Sequence, residues 1–202
     1  MPAAATTEAS LPVFVITGTS GEGKSTLAKL LLERVPELAL AVSATTRERR
    51  PGEVDGEDYW FLSEEEFSRR LEAGELLEYV EFPWGQRSGT LWSEIDRIQS
   101  NGRVPLLELE PGGALAVRDR VPGAVTIFVT APSREELERR LRARATESAG
   151  EIEERLELAW RQRSLASEFG YTLVNDDLER AIAELEAIVR RHLQTAGTIS
   201  EL

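Results

Sequence analysis

The segment Val13–Leu31, VFVITGTSGEGKSTLAKLL, constrains the fold more than any other stretch of the chain. It opens with a short apolar run, Val13 to Ile16, of a length and composition that suit a fully buried strand. Gly18-Thr19-Ser20-Gly21-Glu22-Gly23-Lys24-Ser25 follows and fits the pattern G-x-x-x-x-G-K-[ST] at every fixed position. Leu27, Leu30 and Leu31 then recur at helical spacing, with no proline before Pro36. In this strand–loop–helix context the glycines let backbone amides curl around a phosphate, and the helix N-terminus adds partial positive charge. Lys24 is placed to reach β- and γ-phosphates, and the Ser25 hydroxyl to ligate Mg²⁺. The segment implies a nucleoside triphosphate site, with Gly18, Gly21, Glu22, Gly23, Lys24, Ser25 and Thr26 as its candidate residues.

Beyond this loop, helical and strand patterns alternate. Strands are expected at Leu38–Ser43, Val104–Leu109, Val125–Thr130 and Tyr171–Val174. Helices are expected at Ser63–Ala73, around Leu91, Ile95 and Ile98 up to Asn101-Gly102, at Ser133–Arg144, at Ile152–Phe169, and at Asp177–Leu193. Such alternation predicts an α/β protein of P-loop NTPase fold, a mainly parallel sheet flanked by helices, with its site at the strands' C-terminal ends.

At 202 residues the chain suits one domain with a sizeable core. The Ala/Thr/Pro-rich stretch 1–11 lacks the features of a secretory signal and reads as a disordered leader, and 195–202 as a frayed tail. No apolar run approaches the roughly 20 residues of a membrane span. Zero cysteines exclude disulfides and thiolate metal sites, which suits the cytoplasm. A net charge of −12 argues against nucleic acid or an anionic membrane as partner, and it requires that the arginines gather wherever phosphate is held.

A second constellation lies in SATTRERRPGEVDGEDYWF, Ser43 to Phe61. Arg47, Arg50 and Tyr59 together suit a phosphomonoester dianion, and by spacing alone suit a solvated charged loop equally well. This segment with its continuation LSEEEF resembles the GMP-binding segment of guanylate kinases, and GTSGEGKSTL resembles the P-loop of that family. The likeness continues through LLEYVE, Gly89-Thr90, IFVTAPSREELERRLRAR and LVNDDLERA, from about Val13 to Leu193. The resemblance implies a GMP-binding insert at about 43–93, a helical lid at about 134–163, and transfer of the γ-phosphoryl group of ATP, with Mg²⁺, to GMP. It implies that Ser43, Arg47, Arg50 and Tyr59 hold the GMP phosphate and that Glu78 reads the guanine base, with Ser88, Thr90 and Glu110 beside them. It implies that Arg144 and Arg155 reach the phosphates from the lid, with Arg140 a further candidate, and that Asn175 lies near adenine. Lys24, Arg47, Arg144 and Arg155 would be the catalytic set.

Several positions depart from the family pattern. Arg87-Ser88 stands where the family usually shows two tyrosines, so Ser88 would replace a phosphate-touching phenol and Arg87 would supply charge beside it. Glu108-Leu109-Glu110 replaces Asp-x-Asp, and Ala145 follows Arg144 where glycine is common. Two other readings accompany these departures: a non-catalytic guanylate kinase-like binding module, and a P-loop kinase for a phosphorylated sugar. His192, the single histidine, lies near a helix C-terminus and is assigned no chemistry; Trp84 falls in the irregular segment near the acceptor site.

Overall fold

The computed structural model describes residues 12–82, 85–143 and 149–197, so the expected leader, Trp84 and Arg144 lie outside the described residues. In chain order the elements begin with β1 (Phe14–Thr17), α1 (Lys24–Arg34), β2 (Leu38–Leu40), β3 (Ala44–Thr45) and β4 (Trp60–Phe61). They continue with α2 (Glu64–Glu72), β5 (Leu76–Glu81), β6 (Arg87–Leu91), α3 (Trp92–Ser100), β7 (Val104–Leu109) and α4 (Pro111–Arg120). The last are β8 (Val125–Thr130), α5 (Arg134–Ala143), α6 (Ala149–Gln162), a 3-10 turn at Arg163–Glu168, β9 (Tyr171–Val174) and α7 (Leu178–Thr195).

Five parallel strands form the main sheet in the order β2-β7-β1-β8-β9. β1 is the middle strand, with Phe14 paired to Leu106 on one side and to Val125 on the other. Its residues alternate between two cores. Phe14 and Ile16 meet Leu27 and Leu31 of α1 and Ile182, Leu185 and Val189 of α7; Val13 and Val15 meet Ile95 and Ile98 of α3 and Ala114 and Val117 of α4. Burial on both faces is why this strand is a continuous apolar run rather than an alternating one. The expected parallel sheet flanked by helices is therefore present.

The helix ends follow from local chemistry. Ser63 Oγ accepts the Glu66 amide (3.1 Å) and three glutamates fill the first turn of α2, where negative charge suits the helix dipole. Asp177 caps α7 through the Arg180 amide (2.9 Å).

Three features differ from the sequence expectation. The strand begun at Leu38 leaves the main sheet after Leu40: the Val42 amide donates to Glu94 of α3 (3.0 Å), and Ala44–Thr45 joins a second sheet, β4-β3-β6-β5. In that sheet β6 runs antiparallel to both β3 and β5, over a small core of Ala44, Phe67, Leu76 and Leu91. The long charged helix expected at 152–169 is α6 followed by the 3-10 turn, where the chain bends to bring Phe169 against Phe128 (centroids 5.4 Å). α4 was not anticipated because Gly112-Gly113 reads as a helix breaker.

α7 lies on the sheet face away from α3 and α4, and Leu185 is fully buried there. Leu185→Ala is expected to lower stability by about 2–5 kcal/mol in urea unfolding, without changing ligand affinity at the strand ends.

Candidate functional site

Beyond the C-terminal ends of β1, β2 and β7 the two sheets face each other across a cleft of about 390 Å³. One wall is the P-loop, Thr19–Gly21 and Gly23–Ser25, with Glu108 and Glu110. The other wall carries Glu78, Val80, Phe82 and Ser88 of the small sheet, with Ser43 and Tyr59 completing the rim.

Gly23 caps α1 at φ 92°, and any side chain there would strike the Asn175 amide, so the last loop glycine is dictated both by backbone and by space. Lys24 Nζ donates to the carbonyls of Gly18 (2.5 Å) and Thr19 (3.0 Å) and pairs with Glu110 (3.3 Å). The loop thus folds its own lysine across its mouth. Ser25 Oγ donates to Glu108 Oε1 at 2.5 Å, which sets a hydroxyl and a carboxylate oxygen side by side at the cleft edge.

Glu78 projects into the cleft from β5 and is only 3% exposed. Thr90 Oγ1 donates to it (2.8 Å), and Gly113 of α4 approaches so closely that a Cβ would collide with the carboxylate. Burial pushes the Glu78 carboxyl up to about 7, against the opposing effect of the Thr90 hydrogen bonds. Thr90 itself is buried behind Glu78.

Arg47 forms a two-pronged pair with Glu53 (2.7 and 3.0 Å), and its guanidinium lies 5.3 Å from the centre of the Tyr59 ring. The Arg50 amide donates to the same Glu53 (2.7 Å), while the Arg50 residue is exposed. Glu53 therefore organises this segment, a role that no motif pointed to. Arg47 stands behind Tyr59, which reaches the cleft wall.

Some expected site residues sit elsewhere. Arg87 is turned onto α2, donating to Glu64 (3.0 Å) and Ser68 (2.9 Å) with its guanidinium over the Phe67 ring, so it brings no charge to the acceptor wall. Ser88 does line the wall, with its hydroxyl donating to the Ala44 carbonyl (3.0 Å). Thr26 is exposed on α1 outside the cleft lining.

Glu22 points behind the loop, where burial raises its carboxyl above the ordinary value. Asn175 is buried outside the cleft lining and donates to the Glu22 carbonyl (2.8 Å), so its side chain braces the P-loop from behind. Arg140 donates to the Asn175 carbonyl (2.8 Å) and to Glu136 (2.7 Å). Arg155 falls on α6.

A P-loop at the end of a central parallel strand, facing a second sheet across one cleft, defines a nucleotide phosphotransferase of P-loop NTPase fold. The guanylate kinase family model matches residues 11–192. The chain is 48% identical over 179 residues to a guanylate kinase of Rubrobacter xylanophilus, covering 89% of this chain and 93% of that one. It is 44% identical over 179 residues to a guanylate kinase of Symbiobacterium thermophilum, covering 88% and 83%. The crystal structure of guanylate kinase from Anaplasma phagocytophilum superposes with a TM-score of 0.72 at 29% identity, covering 95% of this chain and 98% of that one. The chain belongs to the guanylate kinase family. It is an ATP:GMP phosphotransferase, and the binding-module and sugar-phosphate readings are not favoured. No helix among the described residues is long and apolar enough to cross a membrane.

The raised Glu78 value carries a stability signature. The unfolded chain releases this proton near the ordinary carboxylate value and the folded chain near pH 7, so stability is fully present below the former and lost as pH rises through the latter. Between those limits ligand-free protein is expected to lose of order 3 kcal/mol, with Glu22 acting in the same direction. Unfolding measured from pH 5 to 8 should show that slope, flattened in Glu78→Gln.

Proposed function

We propose that GMP binds against the small sheet with its base on Glu78, and that ATP binds on the P-loop, so that both substrates meet in one cleft. The observation that carries this reading is that a buried carboxylate and the P-loop lysine open onto the same 390 Å³ space. Guanine offers two donors on one edge, N1–H and the 2-amino group, and ionised Glu78 accepts both. Adenine has neither donor there and would leave a buried charge unpaired, a discrimination of order 10⁴ in sites of this kind. Ser88 completes that wall, Thr90 supports Glu78 from behind it, and Glu110 stands at the shared edge between the two substrates.

The acceptor phosphate is held by Tyr59, Ser43 and the arginines behind them. Glu53 fixes the Arg47 fork in place, and Arg50 closes from the exposed side. On the donor side the amides of Gly18–Ser25 and the start of α1 cradle the phosphates. Lys24 exchanges the Gly18 and Thr19 carbonyls and Glu110 for phosphate oxygens. By the family resemblance, Arg144 and Arg155 add positive charge to the transferring phosphoryl group.

Ser25 Oγ and Glu108, adjacent hard oxygens beside the loop, fit Mg²⁺, which takes one or two protein oxygens and keeps the rest of its shell as water and phosphate. When bound, the ion neutralises charge on the β- and γ-phosphate oxygens.

Transfer then needs position more than proton chemistry. A phosphate monoester has a second pKa of about 6, so an oxygen of the GMP phosphate is already ionised at neutral pH. It attacks the γ-phosphorus in line as the bond to the β–γ bridging oxygen breaks, and ADP leaves. Lys24 and the arginines offset the repulsion between two polyanions, and closure over them excludes water.

An ADP-release assay with Mg·ATP and GMP, AMP, CMP or UMP in turn is expected to show turnover with GMP alone. Comparable turnover with AMP would remove Glu78 as the base reader. Lys24→Ala should lower kcat by about 10²–10³ with an unchanged unfolding temperature, and near-wild-type turnover would overturn its role.

A further inference from the structure

Of the loop residues from Thr19 to Ser25, six line the cleft and Glu22 does not. Its side chain is only 4% exposed and lies on the far side of the loop. Oε1 accepts the Thr19 hydroxyl (3.1 Å), Oε2 accepts the Ala131 amide, and the Glu22 carbonyl accepts Asn175 Nδ2 (2.8 Å). These partners are not scattered. Ala131 follows β8 directly and leads into α5, and its carbonyl accepts Arg163 Nη1 (3.3 Å) from the residue that follows α6. Asn175 follows β9, and its carbonyl accepts Arg140 Nη2 from the middle of α5 (2.8 Å). Both roots of the α5–α6 arm thus converge on the peptides that hold Glu22. The front of the loop is held as well: at Gly21 a Cβ would sit 2.9 Å from both Leu137 and Leu141 of α5.

A carboxylate buried for packing alone would be a poor choice, since desolvation costs several kcal/mol and an apolar side chain fills the same space. Two well-placed acceptor oxygens do what a hydrocarbon cannot. They satisfy an amide at the root of the arm and a hydroxyl within the loop at the same time. We infer that Glu22 is a positioning residue that fixes the P-loop to both roots of the α5–α6 arm, so that the loop's grip on ATP and the arm's placement over it are set together. This rests on the phosphotransferase reading above. The hydrogen bonds, not the charge, do the positioning: a glutamine accepts from Ala131 and donates to the Thr19 oxygen in the same geometry.

The test is steady-state kinetics on the full chain, with ATP and GMP varied separately and the ratio of ADP to GDP measured. A misplacement of about 1 Å is enough to cost roughly 10²-fold in rate. Glu22→Ala is therefore expected to raise the KM for ATP and lower kcat by about tenfold each, while the KM for GMP stays within about twofold. ADP should also exceed GDP, because an arm no longer registered to the loop admits water. Glu22→Gln is expected to restore both the ATP KM and the product ratio. Arg163→Ala, which cuts the bond from the foot of α6 to the Ala131 carbonyl, should give the same pattern more weakly, and it carries the test if Glu22→Ala does not fold. Lower unfolding temperatures with wild-type KM values and product ratio would overturn the inference and leave Glu22 a packing residue. A Glu22→Gln enzyme as impaired as Glu22→Ala would also overturn it. Wild type run alongside separates the two readings, since absence of GMP turnover there would strike the phosphotransferase assignment itself.

Discussion

The pairing of β1 between β7 and β8 is the fixed reference of the molecule. Every residue of β1 is buried, so the strand has no freedom to shift along its neighbours without moving its whole apolar set out of register. The loop that leaves it starts from an immobile point, and so does Lys24, six residues beyond Gly18. β7 delivers Glu108 and Glu110 from the adjacent position, which is why residues more than eighty apart in sequence meet at Ser25 and Lys24. Parallel order is what gathers these ends on one side of the sheet.

An acidic chain that must hold two polyanions has arranged its cations in pairs. Lys24 leans on Glu110, Arg47 on Glu53, and the helical arm carries Arg139, Arg140 and Arg142 against Glu136 and Glu138. The exposed helix pairs contribute little to stability, because water and salt screen them. Those at the cleft matter for a different reason. A guanidinium already oriented by a carboxylate loses less freedom when phosphate arrives, and the carboxylate keeps the empty site from a concentration of unpaired positive charge. Burial sets Glu78 apart from all of these: among the described residues its partners are the hydroxyl and backbone donors of Thr90.

Much of this was legible in the sequence, for identifiable reasons. Val104–Leu109, Val125–Thr130 and Tyr171–Val174 fall on the expected residues because each is a short apolar or β-branched run between breakers. Ser63 and Asp177 are cap residues that announce their helices. The small sheet was not legible, since β3 and β4 are two residues each and carry no period to detect. α4 was hidden by Gly113, whose reason is the Glu78 carboxylate lying against it, a tertiary contact invisible to local pattern. The same limit explains the side chains. Motif position brings Glu78, Tyr59, Ser88 and Glu110 to the cleft, but it cannot tell that Arg87 is captured by α2 or that Glu22 and Asn175 face inward.

The small sheet has a core of its own, four buried residues that make no common cluster with the two faces of the main sheet. Four buried side chains are too few to stabilise an independent unit, so this smaller part of the molecule depends on its contacts with the body. Its grip on the body runs through Leu77 of β5, buried in the core beside α3 and α4, and through polar links such as the Val42 amide on Glu94 and the Arg120 guanidinium on the carbonyls of Leu76 and Leu77. In the proposed reading, base recognition sits on this smaller part and phosphate transfer on the main sheet. An acceptor that fills the cleft ties the two together, so the substrate serves in passing as part of the protein's own scaffolding.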